Sequence, residues 1–205
     1  MNKGILVCIS GFSGAGKGTL IKKLMADHDN YDLSVSATTR SPREGEIDGR
    51  EYFFISREEF ERRISTGGFL EYTQYVGNYY GTPFDFVNEK TGSGRDIILE
   101  IEMEGAMNVK KVYPEALLIF VTTPDAETLR RRLTGRGTET REQISARLKH
   151  AVDETDHIPY YDYLLINGDL DAAVCELHSM IQNEHKRPGR NFDFIQNMKE
   201  DLRRN

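Results

Sequence analysis

The sequence predicts an α/β fold: a mainly parallel central sheet of about five strands with helices on both faces, an inserted antiparallel lobe and a short lid. Three observations carry this expectation. Short apolar runs recur at residues 5–10 (ILVCIS), 33–37, 96–103, 117–123 and 163–167, and helical patterns separate them. Only residues 36–94 break that alternation, with short strands of period two. At 205 residues, with 38% hydrophobic and 29% charged side chains, the chain suits one substantial core. We therefore read a single domain over 1–205: core 1–35, 95–134 and 151–186, lobe about 36–94, lid about 135–150, and tail 187–205.

ILVCIS is nearly continuous in apolar residues and ends in glycine, the pattern of a strand buried on both faces. After Lys17, the residues Leu20, Ile21, Leu24 and Met25 fall on one helical face. LSVSA (33–37) is a weaker strand. EYFFI, FLEYTQYV and NYYGT supply the short strands of the lobe, around a helix that Ser56 and Glu59 start as a capping box and Ile55 with Phe60 close as a hydrophobic staple. DIILEIEM (96–103) and LLIFVTT (117–123) are core strands, with a helix in AMNVKKVY before Pro114. Thr123 as N-cap and Pro124 at the first helical position predict the next helix, and Thr140 with Gln143 caps the one after it, leaving 135–139 as a glycine-flanked, arginine-rich loop. YLLIN (163–167) is the last strand. Leu170, Val174, Leu177 and Ile181 mark the following helix, and the tail reads as polar and peripheral.

A formal net charge of −6 argues against a broad nucleic-acid footprint, so any anion site is local. The sequence lacks an apolar run long enough to span a membrane or form a signal-peptide core, so neither nucleic acid nor membrane is expected as a partner and the expected compartment is the cytoplasm. Cys8 and Cys175 read as buried free thiols, and the five histidines have no zinc-ligand spacing.

The chemistry-bearing stretch is GFSGAGKGT, Gly11 to Thr19. It matches the phosphate-binding pattern G-x-x-x-x-G-K-[ST] at Gly11, Gly16 and Lys17, with Gly18 in the hydroxyl position and Thr19 one residue late. A strand before it and a helix after it present backbone N–H groups to a polyphosphate, which makes a P-loop NTPase fold the expectation. Gly18 weakens direct magnesium coordination, and Thr19 offers a replacement hydroxyl. GAGKGT itself resembles the loop of adenylate kinases. Further on, Arg40 and Arg43 lie three apart with Tyr52 and Tyr80 flanking their region, a set of guanidinium forks and phenols suited to a compact phosphate dianion; an exposed salt-bridged surface is the bland alternative.

The P-loop, TTR-x-P-R-x-G-E-x-x-G-x-x-Y-x-F, GNYYGT, ILEIEMEGA and RGTET, in this order across roughly residues 4–184, closely resemble the guanylate kinase family. The resemblance implies ATP-dependent phosphorylation of GMP, and of dGMP, with Mg2+. It implies that Gly11, Phe12, Ser13, Gly14, Ala15, Gly16, Lys17, Gly18, Thr19, Arg132, Arg136 and Asn167 take ATP, with Asn167 near the adenine. It implies that Ser36, Glu71 and Thr82 read guanine, and that Arg40, Arg43, Tyr52 and Tyr80 hold the GMP phosphate, with Glu46, Glu100, Glu102 and Arg147 completing that site. Lys17, Arg40, Arg132, Arg136 and Arg147 become the catalytic set, with Thr19 and Glu102 as metal contacts largely through water. Glu100 and Glu102 stand where the family commonly has Asp-x-Asp; their spacing predicts two carboxylates on one face near a strand end, costly to bury without a partner. Two alternatives follow from related proteins: another nucleoside monophosphate kinase of the adenylate kinase kind, and a non-catalytic protein-binding module. Oligomeric state is left open.

Overall fold

The computed structural model describes residues 3–135 and 140–204, with Arg141 by its backbone alone. In chain order the elements are β1 (Leu6–Gly11), α1 (Lys17–Asp27), β2 (Tyr31–Leu33), β3 (Ala37–Thr38), β4 (Phe53–Phe54), α2 (Arg57–Ser65), β5 (Phe69–Tyr75), β6 (Asn78–Pro83) and α3 (Phe84–Gly92). There follow β7 (Asp96–Glu100), α4 (Met103–Val112), β8 (Leu117–Thr122), α5 (Ala126–Thr134), α6 (Arg141–Thr155), β9 (Tyr163–Ile166), α7 (Leu170–Glu184) and α8 (Phe192–Arg204).

The central sheet has the order β2-β7-β1-β8-β9, and every pair in it is parallel. Because successive strand residues face opposite ways, Ile5, Val7 and Ile9 pack with Leu20 and Leu24 of α1 and Val174 and Leu177 of α7, whereas Leu6 and Cys8 pack with Val87 of α3 and Val109 of α4. The continuous apolar runs are therefore read correctly as strands covered on both faces. A parallel sheet collects its loops at the strand C-terminal ends, and the glycine loop after β1 lies there beside the ends of β7 and β8.

A second sheet, β4-β3-β6-β5, forms the lobe. Its β3–β6 and β5–β6 pairs are antiparallel, but β3 and β4 run parallel, so the expected antiparallel lobe is mixed. Phe60 of α2 stacks on Phe69 and Tyr79 (ring centroids 4.2 and 5.0 Å) and closes the small core beneath this sheet.

Five sequence expectations are corrected. The strand predicted over 33–37 divides: Tyr31–Leu33 joins the central sheet, and Ala37–Thr38 starts the lobe, because Leu33 is already 44% exposed at the sheet edge. Asp125, not Thr123, caps α5: its carboxylate accepts from Thr128 N–H at 2.6 Å, while Thr123 Oγ1 donates to the Asp125 carbonyl. Ser56 caps α2, but Glu59 completes no box with it; Arg62 and Arg63 hold the Glu59 carboxylate at 2.7 Å each and bring its pKa down to about 2. Cys8 is buried as expected, but Cys175 is exposed. The tail is not simply polar: α8 carries five large exposed apolar side chains. The capping box at Thr140 and Gln143 forms as expected. Among the described residues, no helix is long and apolar enough to cross a membrane.

Candidate active site

The glycine loop takes its shape from backbone conformations that L side chains avoid. Gly14 and Gly16 have φ of 91° and 90°, and Gly16 is the left-handed N-cap of α1. At Gly11 a Cβ would lie 2.1 Å from the Val121 carbonyl oxygen, so only glycine lets β1 run this close to the end of β8. Gly18 differs: its φ is negative, and a Cβ there would meet only Glu100 Oε2, at 3.8 Å. Its backbone therefore does not demand glycine, and its place on the first turn of α1 sets the helix N-terminus beside the Glu100 carboxylate.

The loop is tied down from three directions. Asn167 Nδ2 donates to the Ala15 carbonyl at 2.8 Å, and Arg132 Nη1 donates to the same oxygen at 3.1 Å. Arg132 Nη2 donates in turn to the Asn167 carbonyl at 3.0 Å, which joins α5 to the turn after β9. Arg147 on α6 donates to Ser13 Oγ at 2.6 Å. Lys17 Nζ donates to the Gly11 carbonyl at 2.7 Å, which holds the ammonium over the loop. The structure thus brings Arg132, Arg147 and Asn167 onto the glycine loop; the clamp that Arg132 and Asn167 form on Ala15 is not readable from the sequence. Arg136 lies outside the described residues.

Facing the loop, a cleft of about 300 Å3 opens between the end of β7 and the lobe, lined by Lys17, Ser36, Tyr52, Glu71, Tyr80, Glu100 and Glu102 among others. Glu71 on β5 stands opposite Thr82 on β6, and the buried Thr82 hydroxyl donates to Glu71 Oε1 at 2.7 Å. Burial pushes the Glu71 carboxyl above the usual carboxylate range, and the hydrogen bonds from Thr82 oppose that rise. One oxygen is thereby fixed by the lobe itself. A single carboxylate, Glu71, is seated on the lobe wall of the cleft.

On the other side of the cleft Arg40 lies over the Tyr52 ring (5.5 Å) and donates to Glu46 Oε1 at 2.8 Å. Glu46 Oε2 accepts from the Arg43 backbone N–H at 2.7 Å. Arg40 chiefly, then Arg43 N–H, holds the Glu46 carboxyl below its usual range, and the Tyr80 hydroxyl also bonds Arg40. Tyr52 and Tyr80 meet edge to face at 5.9 Å. Glu46 thus acts as the spacer that aims Arg40 across the phenols, while the Arg43 side chain remains exposed.

Glu100 and Glu102 both reach the cleft, but by a route the strand pattern did not give. The strand stops at Glu100, Glu102 is the N-cap of α4, and both carboxylates are exposed. The expected burial cost is absent, because β7 ends where the cleft begins. With the Thr19 hydroxyl on the first turn of α1, they offer hard oxygen donors of the kind magnesium takes, in company with waters and phosphate. Among the described residues no group of three His, Cys, Asp or Glu side chains converges to hold a metal ion.

Sequence reading missed Glu154. It lies on α6, buried at 4% exposure, with its carboxyl raised by burial and by Glu102, and lowered by His150 and Lys17. The signal was available: Leu148 and Ala151 precede it on α6 at three-residue spacing, so a carboxylate ends an apolar row.

A glycine loop clamped at its carbonyls and a carboxylate-bearing cleft across from it make a two-site arrangement. The family model described as Guanylate kinase matches residues 3–184. The chain belongs to the guanylate kinase family. A guanylate kinase of Clostridioides difficile (strain 630) is 46% identical over 203 residues, covering 98% of this chain and 99% of that protein. One of Lactococcus lactis subsp. lactis (strain IL1403) is 43% identical over 201 residues, covering 98% of each. The crystal structure of guanylate kinase from Anaplasma phagocytophilum is 30% identical, with a TM-score of 0.68 over 93% of this chain and 90% of that one. The guanylate kinase membership embraces both sheets and the glycine loop, and the matched span of the family model stops before α8.

Proposed function

We propose that this chain transfers the γ-phosphoryl group of ATP to GMP, and to dGMP, giving ADP and the nucleoside diphosphate. The observation that carries the base assignment is the Glu71 carboxylate, pinned by Thr82 in the cleft across from the glycine loop. A carboxylate accepts from guanine N1–H and the exocyclic amine, whereas adenine offers an acceptor at N1, so the wrong base leaves two acceptors face to face. Ser36 completes the base pocket.

ATP sits with its phosphates on the main-chain amides of Gly11 to Thr19 and at the N-terminus of α1. Lys17 leaves the Gly11 carbonyl for the outer phosphates, and Arg132, Arg136 and Arg147 add positive charge where the phosphoryl group transfers. Arg40, Arg43, Tyr52 and Tyr80 hold the GMP phosphate for in-line attack, with Glu46 setting the Arg40 geometry. Glu100, Glu102 and Thr19 would hold Mg2+, which would supply positive charge against the phosphate oxygens. The reaction needs no covalent intermediate, so rate comes from alignment and charge. The net charge of −6 disfavours a broad nucleic-acid or anionic-membrane footprint and leaves local sites for nucleotide phosphates.

The test is ADP release measured in parallel with GMP, dGMP, AMP, UMP and CMP. GMP and dGMP are expected to turn over at least about a hundredfold better in kcat/KM than the rest. Preference for AMP overturns the base assignment, and ATP binding without turnover of any monophosphate overturns the enzyme reading.

A further inference from the structure

Gly105 lies on the first turn of α4, and its φ is outside the left-handed region. Its backbone therefore does not call for glycine, and alanine would be the better helix former there. The reason for glycine lies in what a Cβ would meet. It would stand 2.6 Å from Ile101 Cγ1, closer still to Ile101 Cδ1, and 3.8 Å from Glu71 Oε2. Among the described glycines without a left-handed φ, this is the one where an added Cβ would meet side-chain atoms alone at less than 3.0 Å; at Gly4 and Gly81 the obstacle includes backbone.

Ile101 joins the two carboxylates that reach the cleft, Glu100 and Glu102. Its backbone N–H donates to the Ile9 carbonyl at 3.2 Å, which fixes its height beside β1. One side of the half-buried side chain packs on the core that Leu70, Leu99 and Val109 share, and the other lines the cleft with Glu71 and Tyr80. Leu99 also borders the cleft but is only 3% exposed, so Ile101 supplies the accessible apolar surface of this wall. A β-branched side chain has few rotamers to retreat into, and the core behind it is filled. A methyl group at position 105 would therefore drive Ile101 toward the open side, into the cleft.

We propose that Ile101 is the apolar seat of the guanine ring, and that Gly105 is the positioning residue that keeps this seat clear. The seat lies beside Oε2 of Glu71, the oxygen that the Thr82 hydroxyl does not bond. A planar purine needs apolar contact on its face as well as polar contact at its edge, and Ile101 provides the former where Glu71 provides the latter. This role rests on the reading of the cleft as the GMP site.

The experiment is ADP release against GMP and ATP series for the full chain, for Gly105→Ala, for Ile101→Ala and for the two together, with thermal unfolding to verify that each is folded. Gly105→Ala is expected to raise KM for GMP at least about tenfold, with KM for ATP within about twofold and kcat at saturating GMP within about threefold. Ile101→Ala is expected to raise KM for GMP by at least about tenfold as well, again without moving KM for ATP. With Ile101 cut back to alanine the obstacle is gone, so adding Gly105→Ala is expected to change KM for GMP by less than about twofold. An unchanged KM for GMP in either single variant overturns the proposal. So does a fall in kcat without a rise in KM, a matching rise in KM for ATP, or a Gly105→Ala effect that is as large in the Ile101→Ala background. Should Gly105→Ala fail to fold, Ile101→Ala alone decides whether the seat exists. Failure of the GMP reading itself looks different: the unaltered chain would then prefer another monophosphate or turn over none.

Discussion

Replacing Glu71 by glutamine changes one oxygen to an NH2 group while preserving shape. Thr82 Oγ1 donates to Glu71 Oε1 at 2.7 Å, and the glutamine carbonyl keeps that bond by accepting from the same hydroxyl. The new NH2 then faces the cleft, where guanine presents two donors of its own. The loss is two charge-assisted hydrogen bonds, each about 1.5–3 kcal/mol, or about 3–6 kcal/mol together. At 1.4 kcal/mol per factor of ten, kcat/KM for GMP should fall by about 10^2 to 10^4, carried mainly by KM. The assay is coupled ADP release against a GMP series, with thermal unfolding at pH 8 as the control. Because burial raises the Glu71 carboxyl, the neutral amide removes a desolvation cost, and Tm is expected to hold or rise. A fall in kcat/KM of less than about fivefold with Tm unchanged refutes the base-reading role of Glu71.

The same carboxyl predicts a pH effect. A folded pKa above the unfolded one means that the folded state is favoured below the ordinary carboxylate range and loses that contribution as pH rises through the folded pKa. Guanine binding has the opposite need, an ionised Glu71, so KM for GMP is expected to climb on acidification while pH is still above the ordinary carboxylate range. Glu71→Gln is expected to flatten that rise, and identical profiles in the two proteins contradict it. In Gly16→Ala the new Cβ would sit 2.7 Å from Asn167 Nδ2 at a φ of +90°, so about 1–3 kcal/mol of strain and a displaced clamp on Ala15 are expected. Urea unfolding and KM for ATP read the two effects, and a variant with neither change shows that the clamp does not shape the loop. Ile119→Ala removes a fully buried side chain of β8, for an expected loss of about 2–5 kcal/mol in urea unfolding, with GMP KM unaltered while the protein is folded.

The residues differ in how openly they declared their roles. The glycine loop was legible because its constraints are local: a buried strand, three left-handed glycines and a helix follow within a dozen residues. The five-strand sheet was legible because strands covered on both faces carry unbroken apolar runs. Where a run ends at a sheet edge, local signal fails, and so Tyr31–Leu33 and Ala37–Thr38 were merged into one strand. Asp125 took the cap of α5 from Thr123 because the Thr123 hydroxyl was engaged in the turn preceding the helix, a choice between two competent caps that spacing does not settle. The pairing of Glu71 with Thr82 and the double hold of Arg132 and Asn167 on Ala15 join residues 11 to 152 positions apart; family resemblance named most of these residues, and geometry alone shows which atoms meet. Glu154 and the apolar side chains of α8 were signals in the sequence, one a polar residue ending an apolar row and the others apolar residues in a polar tail.

Two sites with separable duties make the central claim, and Lys17→Ala divides them. Lys17 belongs to the glycine loop, whereas the base and acceptor-phosphate contacts belong to the lobe. Calorimetric titration of GMP into Lys17→Ala, alongside turnover with ATP, is the most direct test. The account predicts GMP affinity within about threefold of the unaltered chain and kcat lower by at least about 10^3. Loss of GMP binding in step with turnover would contradict it, because the GMP contacts would then depend on the glycine loop.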